Sequence, residues 1–168
     1  FNAELAEKVR EAFEKNPKQM TPTVARTLDV PEAEVIRHLP NNATVELDIN
    51  RWEELIRRFE SLEKVHVITN TGVVVLEVFG QFGNFSTWGE FFNVQTSSID
   101  MHIRFKELGS VFAVQKAGHM DGGNTLSFQF YTFAGAAAFK VFLTFGSKGP
   151  SEERMKQFTD IRDAFALS

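Results

Sequence analysis

The sequence predicts an α+β fold with helices first, an antiparallel sheet next and a helix last. Three observations carry this reading. Apolar residues recur at helical spacing as far as Leu62. After Glu63 the apolar period drops to two, the mark of strands with unlike faces. A capped apolar stripe at helical spacing returns after Pro150.

Each element has its own signal. Leu5, Val9 and Phe13 share one helix face, with Asn2 as N-cap and Asn16-Pro17 as the stop. Thr21-Pro22 offers a cap and a first-turn proline for a short helix over 24–28. Asp29-Val30-Pro31 repeats the signal for a third helix through Ile36, ended by Leu39-Pro40. A polar linker over 41–50 has room for a strand at 44–47. Asn50 with Glu53 resembles a capping box, and Trp52, Leu55, Ile56, Phe59 and Leu62 stripe the fourth helix. Strands over 65–69 and 73–79 flank the hairpin turn Asn70-Thr71-Gly72. A Gly- and Phe-rich loop is expected over 80–89, a strand over 91–96 and a turn at Ser97-Ser98. Ile99, Met101, Ile103 and Phe105 then alternate with Asp100, His102, Arg104 and Lys106, giving one apolar and one polar face. Strands over 110–116 and 126–133 are joined by a flexible stretch over 117–124, and a last strand covers 138–145. Pro150-Ser151 caps a final helix with Met155, Phe158, Ile161 and Phe165 inward. The expected organisation is one domain over 1–168, helical over 1–62, sheet over 63–146 and helical over 150–168.

Composition narrows the function classes. Hydrophobic residues make up 43% and charged residues 24% of 168 residues, the balance of a folded chain with a sizeable core. Eighteen basic against 22 acidic side chains leave a net charge of −4, which gives nucleic acid and anionic membranes no global field to bind. The absence of cysteine excludes disulfides, thiolate metal sites and thiol catalysis and is compatible with a cytoplasmic location. No apolar run approaches the roughly 18 residues of a membrane span, and no signal peptide is visible near Glu4, Glu7 and Lys8. Eighteen Phe exceed what a small core needs, so some are expected to line a pocket or an interface.

The motifs point weakly, one by one. The three short helices could form a helix-turn-helix, but Glu32 and Glu34 stand at the end that would meet phosphate, so a helical cap on the sheet is the expected role. No His-x-x-x-His or His-Glu-x-x-His pattern supports a zinc hydrolase, and no Gly-x-Ser-x-Gly or phosphate loop occurs. His38 ends a surface helix as a capping or solvated residue, His66 points opposite to Val65 and Val67, and His119 lies in a Gly-rich loop. His102 shares its strand face with Arg104, so an imidazole that can ligate iron sits beside a guanidinium that can pair a carboxylate. The plain alternative is an ordinary solvent-facing strand.

Several strings fall in a telling order. Val35-Ile36-Arg37-His38-Leu39-Pro40 closes an apolar helix, and Trp52 with Leu55 opens the next. Val75-Leu76-Glu77-Val78-Phe79-Gly80 leads to Phe92-Asn93, then to His102-Ile103-Arg104 and Phe139-Lys140-Val141-Phe142-Leu143. Over about residues 13–145 this series resembles the cytosolic haem-utilisation carriers of the HutX/ChuX type. The resemblance implies a large curved antiparallel sheet, a homodimer and haem held through iron by His or Tyr. It places His102 at an iron-ligating position. Where some relatives carry a second His in the first hairpin, this chain has Asn70, and where others carry Tyr it reads Phe91-Phe92-Asn93.

The resulting expectation is a non-enzymatic haem carrier, cytoplasmic, handing haem to an acceptor protein. His102 would ligate iron, Arg104 or Lys106 would pair a propionate, and Phe79, Phe82, Phe85, Phe91 and Phe92 would wall the porphyrin. Two alternatives stand beside it. One is a dimeric interaction module that has lost haem; the other is a haem-modifying enzyme, for which no catalytic constellation speaks. Strands apolar on both faces, as at Val73 to Leu76, argue for a two-fold homodimer.

Overall fold

A computed structural model describes residues 1–117 and 124–168. His119 and the expected flexible connection at 118–123 lie outside the described residues. Helices α1 (Ala3–Lys15), α2 (Thr21–Leu28) and α3 (Glu32–Arg37) come first. Strand β1 (Thr44–Leu47), helix α4 (Trp52–Arg58), strands β2 (Lys64–Asn70) and β3 (Val75–Gln81) follow. Next come β4 (Phe85–Trp88), β5 (Phe91–Gln95), β6 (Asp100–Arg104), β7 (Leu108–Ala117), β8 (Asn124–Thr132) and β9 (Ala137–Leu143). Helix α5 (Glu152–Phe165) closes the chain. The α+β class is as predicted, with a six-stranded antiparallel sheet ordered β1-β7-β8-β9-β2-β3 and a three-stranded one ordered β4-β5-β6.

Of the expected helix caps, those at Asn2 and Ser151 are in place and those at Asn50 and Thr21 are not. Asn2 Oδ1 accepts from Leu5 N at 3.0 Å and Ser151 Oγ accepts from Arg154 N at 3.1 Å, each satisfying a free N-terminal amide. Asn50 does not cap α4. Arg51 stands at its N-cap without a side-chain cap, and Asp48 instead caps the short 3₁₀ turn over Ile49–Arg51 that precedes the helix, accepting from Asn50 N at 3.0 Å. Thr21 is the first residue of α2 rather than its cap, and its hydroxyl donates to Glu32 Oε2 at 2.7 Å. The expected loop over 80–89 holds strand β4, which pairs with β5. A stretch rich in Gly hides a strand when tertiary pairing supplies what propensity does not.

One face of the large sheet packs on the small sheet, α4 and α5. Leu55, Ile56, Phe59, Leu62, Phe128, Phe130, Phe158 and Ile161 are buried together there. Phe59 sits at its centre, with ring centroids 5.1 Å from Phe128 and 5.5 Å from Phe82. The stripe read from the fourth helix is this core's helical side. The other face of the large sheet is only half covered. Ala33 and Ile36 of α3 pack on Phe112, Val114 and Tyr131 over the β7–β8 half, and α1 and α2 join through Val9, Phe13, Val24 and Val35. The cover ends towards edge strand β3, where Val73, Val74, Val75, Leu76 and Phe79 are exposed.

Two residues of the cap depart from expectation. Glu32 is not on an open face: it pairs with Lys140 at 2.5 Å with both side chains nearly buried. Its closeness to phosphate is therefore no reason for or against a nucleic-acid surface. His38 holds the expected capping place at the C-terminus of α3 but is buried rather than solvated; Nδ1–H donates to Glu34 O at 2.7 Å while Nε2 accepts from Asn2 N at 3.0 Å. Where β3 passes under the Ser97-Ser98 turn, an added Cβ at Gly80 would overlap the Ser98 side chain, so only glycine fits this crossing of the two sheets.

Candidate functional site

The outer face of the small sheet is set by register. Ser86 pairs with Asn93 and Asn93 with His102; one step along, Trp88 pairs with Phe91 and Phe91 with Arg104. Alternation turns Phe92, Val94 and Ile103 into the core and leaves these two cross-strand rows outward. His102 Nδ1 lies 2.7 Å from Asn93 Oδ1, and Asn93 Nδ2 donates to Ser86 Oγ at 3.2 Å. His102 Nε2 points outward, 3.2 Å from the exposed Asp100 carboxylate, which also accepts from Gln95 Nε2 at 3.2 Å. In the second row Trp88 is 77% exposed. The Arg104 guanidinium stands 5.1 Å over the Phe91 ring and 3.1 Å from Glu90.

Of the residues picked from sequence, His102, Arg104 and Phe91 share this face. Lys106 follows in a 3₁₀ turn over Phe105–Glu107 and is exposed. Phe92 is on the opposite face, buried between Trp52 at 5.2 Å and Phe85 at 5.6 Å. Phe82 is in the core and Phe79 is on the large sheet, so the five Phe do not form one wall. Trp88 and Asn93 were missed as members of the face. Their signal was present: each lies an even number of residues from a face neighbour along its strand.

A second candidate is a groove of about 290 Å³ where the helical cap ends on the large sheet. Met20, His66, Ile68, Lys140 and Phe142 line it. The His66 ring stacks on Phe79 at 4.2 Å. Its buried Nε2 lies 2.8 Å from Glu77 Oε1 but outside hydrogen-bond geometry. Beneath the cap runs a closed polar ladder: Tyr131 OH donates to Gln129 Oε1 at 2.7 Å, and Gln129 Nε2 donates to Ser127 Oγ at 3.0 Å. Burial and the neighbouring Glu32 push the Tyr131 phenol well above its ordinary range. Burial, then the charge of Lys140, pulls Lys116 below the usual lysine range. A larger cavity of about 580 Å³ lies among Arg10, Phe13, Asn41, Asn42 and Gln115, a mixed polar and apolar surface. Among the described residues no three His, Asp or Glu converge on a metal site, and no helix is long and apolar enough to cross a membrane.

Solved structures share this architecture. A protein of Agrobacterium tumefaciens is 25% identical, with a TM-score of 0.82 over 95% of this chain and 91% of that one. The heme-binding protein ChuX is 19% identical, with a TM-score of 0.80 over 93% of this chain and 97% of that one. Holo-PhuS, a heme-binding protein from Pseudomonas aeruginosa, is 21% identical with a TM-score of 0.82; the match covers 99% of this chain but 46% of PhuS. These neighbours share the fold, and this chain spans about half the length of PhuS. No curated protein sequence matches the chain. The model of the family Haem utilisation ChuX/HutX matches residues 45–161, and the chain belongs to that family.

Proposed function

We propose that the chain binds haem non-covalently as a carrier, with His102 ligating iron on the outer face of the small sheet. One observation supports it most: the buried Asn93 amide engages Nδ1 and leaves Nε2 on the solvent side, facing the exposed Asp100 carboxylate. A metal-binding His is commonly held this way through its other nitrogen. The residues fit the group on chemical grounds. Trp88 and Phe91 offer flat apolar area, and Arg104, half-exposed, offers a partner for a propionate. Bound haem supplies an iron centre; the protein supplies orientation, an apolar bed and charge. Lys106 extends the basic edge of the same face. The carrier reading extends to a cytoplasmic setting and an acceptor protein.

An open face binds a plate tightly only when something covers it. A second copy of the chain is the proposed cover, and the exposed Val75, Leu76 and Phe79 on edge strand β3 favour self-association. Sedimentation should then find a particle of twice 19.0 kDa at micromolar concentration.

The concave groove favours a second reading, with His66 as ligand, because its Nε2 is buried without a hydrogen bond. Haem titration followed at the Soret band separates the two. His102→Ala should move the bound maximum toward that of free haem, and His66→Ala should leave it in place. The reverse pattern transfers the site to the groove. A parent protein without a saturable Soret shift removes haem and leaves an interaction module.

A further inference from the structure

We infer that Asn93 is the positioning residue that fixes the His102 tautomer and so makes Nε2 the coordinating nitrogen. The inference rests on the haem reading for its use, though its core concerns the protein alone. An imidazole can present either nitrogen, and which one carries the proton is set by the partner of the other. Asn93 is 6% exposed, so its amide is fixed by protein rather than by water. Its Nδ2 donates to Ser86 Oγ at 3.2 Å while its Oδ1 faces His102 Nδ1 at 2.7 Å. A carbonyl oxygen only accepts, so a hydrogen bond there needs the hydrogen on Nδ1. The orienting chain therefore runs Ser86, Asn93, His102 across three strands, one residue from each, on directly opposed positions.

The same geometry explains why this asparagine is buried on an otherwise wet face. Its backbone neighbours Phe92 and Val94 are both fully buried, which anchors β5 against the core and holds the amide still. Asp100 approaches Nε2 from the solvent side, is itself exposed, and can swing away without leaving a buried group unpaired. Both partners only accept, so they compete for the one hydrogen of the neutral ring. The rigid, buried Asn93 oxygen draws it to Nδ1 and the exposed, displaceable Asp100 carboxylate draws it to Nε2; on our inference the rigid partner wins. A merely structural asparagine would pin the strands but would have no need to present an acceptor to the ring.

The test uses three proteins, the parent, Asn93→Leu and Asn93→Asp, each with and without added haem. Leu is near in volume and offers no acceptor; Asp keeps an acceptor and restores the orienting contact. Nitrogen-15 spectra of the haem-free proteins above the imidazole titration report the tautomer directly. The parent and Asn93→Asp should show Nδ1–H, and Asn93→Leu should lose that preference. Haem affinity should fall about 10- to 100-fold in Asn93→Leu, the range for an outer-shell partner of a metal ligand, and recover in Asn93→Asp. A parent with Nε2–H, or an Asn93→Leu protein with an unchanged tautomer, overturns the assignment of Asn93. If the parent shows Nδ1–H but no saturable Soret shift, the orienting role stands and the haem reading fails. If Asn93→Leu does not fold, Ser86→Ala, which frees the amide to turn, should weaken the same Nδ1–H preference, and an unaltered tautomer there counts against the proposal.

Discussion

The polar groups under the helical cap and those on the outer face of the small sheet follow opposite rules. Under the cap a set of groups is closed upon itself: Thr21 and Lys140 on Glu32, Tyr131 on Gln129, Gln129 on Ser127. On the outer face the inner partners are fixed while the outer ones, Asp100 and Glu90, are exposed and replaceable. Burial turns polar side chains into structure, because an unpaired group there is costly. Partial exposure leaves one valence open for a ligand. Both regions use alternate residues of antiparallel strands, so the strand pattern alone does not tell a strut from a site.

The largest effect should fall on the cap. Glu32→Gln leaves the Lys140 ammonium with no charged partner in a nearly buried place, and removing one member of such a pair costs about 3–5 kcal/mol. Urea denaturation should show that loss, while haem titration of the folded fraction should be unchanged. A variant as stable as the parent would mean that the pair is solvated after all and that the two regions do not differ as described.

Tyr131→Phe comes next. It keeps the ring but leaves the buried Gln129 Oε1 without its donor, at a cost of about 1–3 kcal/mol. The same hydroxyl makes a pH prediction. Its pKa is raised in the fold, so its contribution is fully present below the ordinary phenol value of 10.0 and is lost as pH climbs beyond it. Since Tyr131 is the one tyrosine of the chain, ultraviolet difference absorbance reads it directly. Phenolate should appear only together with alkaline unfolding.

The smallest effect belongs to the outer face. Arg104 is half-exposed and shares its charge with Glu90, so Arg104→Ala should weaken haem by about 1 kcal/mol, the screened end of a charge-assisted bond. Stability should not move, and the Soret maximum should stay. A loss of stability instead would place Arg104 among the struts.

What could be read from the sequence followed from periodicity. Val65 and Val67 inward with His66 outward, the Trp52-to-Leu62 stripe, and the Asn2 and Ser151 caps all depend on neighbours within a few residues. Pairing at long range was hidden. Strand β4 takes its identity from β5, and Glu32 is drawn inward by Lys140, 108 residues away. The site was legible in part for the same reason. His102 and Arg104 share a face by spacing on one strand; spacing also puts Asn93 with Phe91 and Trp88 with Ser86, but only register brings those strands beside His102. Phe92 was placed on that face because aromatic content was counted without its phase; adjacent residues such as Phe91 and Phe92 cannot point the same way on a strand.

The crossing at Gly80 ties the last turn of β3 to the small sheet, and Thr96 Oγ1 adds a hydrogen bond to Gln81 O at 2.8 Å beside it. Two sheets welded at such a corner behave as one rigid gauge. The chain has no cysteine of its own, so a pair introduced as Lys64→Cys and Thr87→Cys would carry the only spin labels in the molecule. Their separation should form a single narrow distribution within one subunit, the same with and without haem, and would serve as the internal ruler against which any movement of the helical cap is measured.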